Sequence, residues 1–448
     1  MGKVKVCDAI CGAGKTQSCI TMMNSDTDKR FIFITPYLSE IERIKEQCSQ
    51  RGFVSPDNTN SNKLESIHKL LRAKKNIAST HALFSYYTDE TKQLIVDGGY
   101  TLVLDEVMNI FQPVDISVED MNILVKSNTV TANNNDEYEW NDLEYGDGTF
   151  ADIKFKARSN NLLKYKDEMY FWSIPPDAFK CFKEIYILTY MFQYQIQKYF
   201  FDVYGIEFEL IGTKKVDGQY MFCPIDEMDR KRDLRDKIHI LDSYSLNKIG
   251  DEQGSLSFNW YNKANQEEGK PKLKKLKQNM CNLFVNVYKG DSNLKMWSTF
   301  KDYKDYLKGK GYTKSFIAFN KRATNDFADR KYLAYCLNVY MQTWAKNYLL
   351  IKGAKDISEN MYAISTLIQW LFRSAIRKGE EVWLYLPSKR MRLLFIKWLD
   401  NLAEGKDLEA ITTSEIKGET GDKNTKAKTL KEKVQQFSLK SKSKEKKK

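Results

Sequence analysis

The sequence predicts an α/β protein in which parallel sheets are flanked by helices. Three observations predict it. Short apolar strands alternate with helical stretches through residues 1–110, a glycine-bearing loop joins the first strand to the first helix, and the same rhythm resumes after residue 236. Strands that feed helices at this spacing pair in parallel through right-handed crossovers.

Each element follows from local pattern. Val4–Asp8 alternates as a short strand, residues 16–23 read as a helix, and Arg30–Thr35 is an apolar strand. Residues 39–48 form a helix with Ile41, Ile44 and Cys48 on one face. Residues 77–79 and 101–104 are two more short strands. The pattern then changes. Residues 133–148 hold six acids and no basic residue, between Asn133-Asn134-Asn135 and Gly146-Asp147-Gly148, which predicts an acidic loop or hairpin insertion. Residues 184–190 return to a buried-strand pattern, 193–204 form an aromatic-rich helix, and Asp217-Gly218 marks a hairpin turn. In the second half, residues 237–242, 315–319 and 381–386 are expected strands with helices between them. Beyond about residue 405 the chain is rich in Lys, Ser, Thr and Gly. Such a segment does not offset its ordering entropy and is expected to be disordered.

The expected organisation is a first α/β domain of residues 1–112 and 176–230, an insertion at 113–175, a second domain at 231–404 and a lysine-rich tail at 405–448.

Composition narrows the class. Of 448 residues, 42% are hydrophobic and 29% charged, an ordinary balance for a soluble globular protein. No apolar run approaches the roughly 18–20 residues of a membrane span. The first residues lack the apolar core of a signal peptide, so a cytoplasmic location is expected. Eight cysteines without a Cys-x-x-Cys pair, and three histidines, argue for buried thiols rather than a disulfide framework or zinc site. Net charge is +12, but residues 417–448 contribute twelve lysines against four acids. Charge therefore predicts a sticky basic tail more than a basic groove. A groove has to be argued from motifs.

The sharpest motif is Ala9-Ile10-Cys11-Gly12-Ala13-Gly14-Lys15-Thr16, at a strand–loop–helix junction. It fits a phosphate-binding loop with alanine at the first glycine position. Gly12 and Gly14 let backbone N–H groups curl around phosphate oxygens, and the helix start aims its dipole at the same anion. Cys11, Gly12, Ala13, Gly14, Lys15, Thr16 and Gln17 are the expected nucleotide-binding residues, with Lys15 on the phosphates and Thr16 on Mg²⁺. A plain glycine-rich turn ahead of a helix is the bland alternative. The metal's second ligand and the water-polarising base are then expected from Asp105 and Glu106, at the end of the apolar strand 101–104. An Asp-Glu pair after a strand is otherwise often a solvated strand end.

The order of these segments resembles that of superfamily 2 (DEAD/DEAH-like) helicases, and more closely helicase-like proteins of tailed bacteriophages. Gly12–Thr16 resembles motif I, residues 34–40 motif Ia, residues 104–107 motif II, residues 188–192 motif III, residues 320–326 motif V and residues 368–377 motif VI. Residues 79–84 are similar to a strand-end segment that touches the nucleic-acid backbone. Motif II reads Asp-Glu-Val-Met, outside the usual four-letter boxes, and Phe372 stands in motif VI where the family often has glycine. The resemblance implies two RecA-like domains, ATP and Mg²⁺ as cofactors, and movement along nucleic acid, DNA rather than RNA. It implies backbone contacts from Thr35, Pro36, Thr80 and His81 on the first domain and from Arg322, Thr324 and Asn325 on the second. Phage replication proteins are the expected partners. Gln369, Arg373 and Arg377 are spaced four apart, so a continuous helix presents them on one face. In the family such arginines reach the γ-phosphate across a cleft, with Arg377 expected as the finger. The run from Lys270 to Lys277 adds five positive charges for tracking phosphates, or is a solvated loop. Two other readings stay open, a packaging-type ATPase and a nucleic-acid-binding protein with an idle nucleotide site.

Overall fold

The computed structural model describes residues 4–56, 63–81, 88–133, 137–142, 144–146, 148–158, 161–166, 169–320 and 327–406. The expected contacts Arg322, Thr324 and Asn325, and nearly all of the lysine-rich tail, lie outside the described residues. The chain divides into two compact units, residues 1–229 with 342–357, and residues 230–341 with 358–448. Both are mixed α/β.

Among the described residues of the first unit twelve strands follow one another: β1 (Val4–Asp8), β2 (Arg30–Thr35), β3 (Ile77–Thr80), β4 (Tyr100–Asp105), β5 (Phe111–Val114), β6 (Val130–Ala132), β7 (Glu137–Trp140), β8 (Leu162–Tyr165), β9 (Met169–Ser173), β10 (Glu184–Thr189), β11 (Phe208–Val216) and β12 (Gln219–Pro224). Seven of them make one sheet in the order β12-β11-β1-β10-β4-β2-β3. All its pairs are parallel except the β11–β12 hairpin. Helices α1 (Lys15–Ser25), α2 (Leu38–Gln47), α3 (Lys63–Arg72) and α4 (Asp89–Gly98) connect the early strands. Phe31, Phe33, Leu102 and Val103 are wholly buried, as expected of central parallel strands covered on both faces. The chain leaves β1 for strands on one side and later returns to its other side with β11. Reversals of this kind open a crevice at the carboxyl ends of the strands.

The insertion is more than a loop. Strands β5 to β9 form an antiparallel sheet in the order β5-β9-β8-β7-β6, with helices Val118–Lys126 and Ala151–Ala157. Tyr138, Trp140, Tyr170, Phe171 and Trp172 give it an aromatic core, and among the described acids Glu139 and Glu144 are exposed. Here acidic composition described the surface and hid the core. The helix Thr343–Ile351 also belongs to this first unit. Its Trp344 and Tyr348 rings lie 5.1 and 4.9 Å from Phe171, centre to centre.

The second unit holds a parallel four-stranded sheet of β13 (Ile238–Ile240), β14 (Lys295–Ser298), β15 (Tyr332–Tyr335) and β16 (Val382–Tyr385), in the order β13-β16-β15-β14. The strand expected at 315–319 is corrected: Thr313–Ser315 is a 3₁₀ turn, and only Phe316 makes an isolated bridge, to Trp297. The sheet instead uses β14 and β15, four residues each, neither of which was expected from sequence. The lysine-rich run at 270–277 is helical, opening the helix Lys270–Asn282, with Leu273 and Leu276 buried beneath exposed Lys270, Lys272, Lys274 and Lys275. Among the described residues no helix is long and apolar enough to cross a membrane.

Candidate nucleotide site

The site is built at the carboxyl ends of β1, β4, β10 and β2. Gly12 and Gly14 both take positive φ, 83° and 88°, which a side chain would resist. Gly14 caps α1 without any side-chain hydrogen bond, and no acid occupies the helix's first turn. The leading amides of α1 are thus left for an anion. Lys15 folds back so that Nζ donates to the carbonyls of Ala9 at 2.6 Å and Ile10 at 3.3 Å. Cys11 and Gln17 are partly exposed, and Ala13 is buried.

Asp105 is the centre of the constellation. Thr16 Oγ1 donates to its Oδ1 at 3.4 Å and Thr35 Oγ1 to its Oδ2 at 3.2 Å. Burial pushes the Asp105 carboxyl up to about 7, helped by the negative charges of Glu106 and Glu40; the Thr35 hydrogen bond and Lys15 pull the other way. An acid disfavoured as an anion, with a threonine hydroxyl beside it, is an oxygen donor set that fits a hard divalent cation such as Mg²⁺. Thr16 and Asp105 are the residues that would hold it.

Glu106 follows in a left-handed conformation, φ 75°, unusual outside glycine and frequent at functional sites. Its amide donates to Leu188 O at 2.9 Å, and Thr189 Oγ1 lies 3.5 Å from its carboxylate. Gln195 Nε2 donates to the same Thr189 oxygen at 3.1 Å. On the other flank Asp8, at the end of β1, accepts from the amides of Met191 at 2.7 Å and Phe192 at 3.0 Å. The 189–195 segment is thereby tied both to the phosphate-loop strand and to Glu106. Asp8, Gln195 and Glu40 were not singled out from sequence, because nothing local marks a polar side chain as facing a distant strand end.

The other expected residues fall in several places. Thr35, expected on a nucleic-acid surface, is fully buried with its hydroxyl committed to Asp105. Pro36 and Thr80 are partly exposed at the ends of neighbouring strands, Thr35 and Thr80 being register partners, and His81 follows directly. The single face expected for Gln369, Arg373 and Arg377 is corrected. Their helix, Glu359–Leu371, stops before Arg373, and residues Ala375–Lys378 form a separate 3₁₀ turn. The break is hydrogen-bonded: Ser374 Oγ donates to Leu371 O, and the Ala375 amide to Arg330 O beside β15. Arg373 is buried, with Nη1 3.5 Å from Ala318 O, whereas Arg377 is exposed and Gln369 intermediate.

Comparison with known proteins finds two family models on this chain. A family model described as the YonV middle domain matches residues 111–172, the span of the antiparallel sheet. The YonV C-terminal Rossmann-like domain matches residues 232–399. Among solved structures, the chain is similar to Xpd4 of S. tokodaii, at 12% identity and a TM-score of 0.45, covering 89% of this chain and 94% of that one. It is similar also to a structure described as apo XPD, at 10% identity and a TM-score of 0.47, with 90% and 95% covered. The SPbeta prophage-derived protein YonV of Bacillus subtilis (strain 168) is 41% identical over 415 residues, which span 90% of this chain and 100% of that protein. This chain belongs to the YonV family.

Proposed function

We propose that this protein is an ATP-driven motor on nucleic acid, a helicase or translocase acting on phage DNA, with its two units working as RecA-like halves. One observation carries the reading: Lys15, Thr16, Asp105 and Glu106 lie at the carboxyl ends of strands of one sheet, at a turn whose Gly12 is exposed and whose helix carries no side-chain cap. Lys15 is drawn from its carbonyls onto the β- and γ-phosphates. Glu106 holds and deprotonates the attacking water, which displaces ADP from the γ-phosphorus. A bound magnesium ion supplies charge neutralisation on the phosphates, held through Thr16 and Asp105.

Thr189 and Gln195 sit where a change at Glu106 is passed to the 189–195 segment. Arg377, exposed on its own turn, is the better candidate for a finger; Arg373, buried, serves the fold of its unit. Thr80, His81 and the lysines of the helix Lys270–Asn282 are candidates for backbone contacts that ignore sequence, as a translocase needs. Kinship with a prophage-derived protein supports phage DNA as the track and phage replication proteins as partners. The test is ATP hydrolysis by the full chain, alone and with single-stranded DNA, duplex DNA or RNA. Stimulation by DNA is expected; hydrolysis indifferent to every nucleic acid would overturn the motor reading while keeping the nucleotide site.

A further inference from the structure

The β11–β12 hairpin is not part of the family-like motifs, yet it touches the phosphate loop. Asp217 and Gly218 turn it with positive φ at both positions, and β11 lies parallel to β1 while β12 forms the sheet's edge. Lys215 and Tyr220 are register partners across the hairpin, with Lys215 Nζ 5.7 Å from the Tyr220 ring centre. The tyrosine ring rests on Gly14. The point where a Cβ would stand on that glycine lies 2.2 Å from Cδ1 and 2.4 Å from Cε1 of Tyr220. One turn along α1, the buried hydroxyls of Ser18 and Thr213 are 2.5 Å apart, so the same hairpin grips the helix a second time.

We propose that Tyr220 is a positioning residue for the phosphate loop: its ring, pressed on Gly14, keeps that glycine left-handed and so holds the turn that opens α1. The inference rests on the nucleotide-site reading above and extends it to a residue outside every motif. Gly14 is conformationally free by itself, since glycine enters several backbone regions at similar cost. A flat ring on its Cα removes the alternatives only while the hairpin stays in register. The Ser18–Thr213 pair holds that register close to the loop.

The mechanism predicts which ligands are affected. A ring that acts through loop conformation alters binding of the phosphates, whatever base is attached. A ring that stacks on the base alters ATP binding alone. If Tyr220→Ala leaves the loop competent about one tenth of the time, the apparent Kd rises about tenfold. The experiment measures binding of Mg²⁺-ATP and of Mg²⁺-tripolyphosphate by calorimetry to the full chain and to its Tyr220→Ala and Tyr220→Phe variants. Melting temperatures of all three confirm that each is folded. The expected result is an equal, about tenfold loss for both ligands in Tyr220→Ala and recovery to within about twofold in Tyr220→Phe, because the ring and not the hydroxyl makes the contact. Loss confined to ATP, or no loss, would overturn the proposal. A Lys15→Ala control separates the two readings. If Lys15→Ala also binds both ligands as the unaltered chain does, the nucleotide site itself is wrong; if Lys15→Ala fails while Tyr220→Ala binds normally, only the role of Tyr220 falls.

Discussion

The strand ends of the first unit and the 369–377 segment of the second both carry charged residues at family-like spacing, and they behave differently. At the strand ends the side chains converge: two threonine hydroxyls from different elements reach one carboxylate, and Glu106 is placed by a backbone bond to the neighbouring strand. In the 369–377 segment they diverge, because the helix ends at Leu371 and puts a buried Arg373 and an exposed Arg377 on separate turns. Ladder register fixes the end of a parallel strand from both sides. A helical face extends only as far as the helix, and tertiary bonds from Ala375 to Arg330 decide where that is.

The largest way to break the comparison is Lys15→Ala. It is expected to reduce ATP hydrolysis to background with the fold intact, read by phosphate release beside circular dichroism; undiminished turnover would remove the converging site altogether. Next, Glu106→Gln should lower turnover by about 10²–10⁴-fold, the range for a lost general base, while nucleotide still binds. A variant that hydrolyses normally would leave Glu106 a strained strand end without chemistry.

The two arginines sharpen the diverging half. Arg377→Ala is predicted to slow hydrolysis at least several hundredfold, towards the about 10³–10⁵ that an arginine finger is worth, with an unchanged melting temperature. Arg373→Ala is predicted to lower the melting temperature by several degrees, since its buried guanidinium would be lost from the core of its unit. Exchange of these outcomes would reverse their roles.

A smaller effect concerns Asp105. Its folded-state carboxyl titrates near 7, above the ordinary carboxylate range. Between those values the folded protein holds a proton that the unfolded chain releases, so stability contributed by this group is present at low pH and lost as pH rises through 7. In divalent-free buffer Asp105→Asn should match the unaltered chain at pH 4 and exceed it at pH 8 by about 1–3 kcal/mol in thermal unfolding. Excess Mg²⁺ should narrow the gap, because it binds the carboxylate form of the unaltered chain. Equal stability of both chains at pH 8 would contradict the burial argument. The smallest change is removal of residues 407–448. Twelve fewer lysines predict a shallower slope of log affinity for single-stranded DNA against log salt, by about 0.7 for each lost phosphate contact. An unchanged slope would place the DNA contacts wholly on the two units.

Much of the first sheet was legible from residues alone. Val4–Asp8 and Arg30–Thr35 have the bounds their apolar runs suggest, and Asp217-Gly218 is the hairpin turn. The insertion was read from its six acids as a loop or hairpin, and β6 and β7 do pair as a hairpin there; the larger antiparallel sheet was missed because its core aromatics lie scattered among the acids. β14 and β15 were missed, although the equally short β3 and β16 were expected from their residues. The comparison with YonV placed the chain in a family, and the geometry of the site came from neither source.

The amino-acid order by itself determined the glycine turn that opens α1, the strand that delivers Asp105 and Glu106, and the α/β class, since each depends on residues adjacent in the chain. Tertiary structure alone decided that Thr35 turns inward to Asp105, that Tyr220 lies on Gly14, that the helix Thr343–Ile351 joins the first unit, and that Arg373 and Arg377 part company. Those outcomes depend on contacts between segments far apart in sequence. Local pattern constrains backbone conformation, whereas which side chains meet is set by sheet order and by where each helix is made to stop.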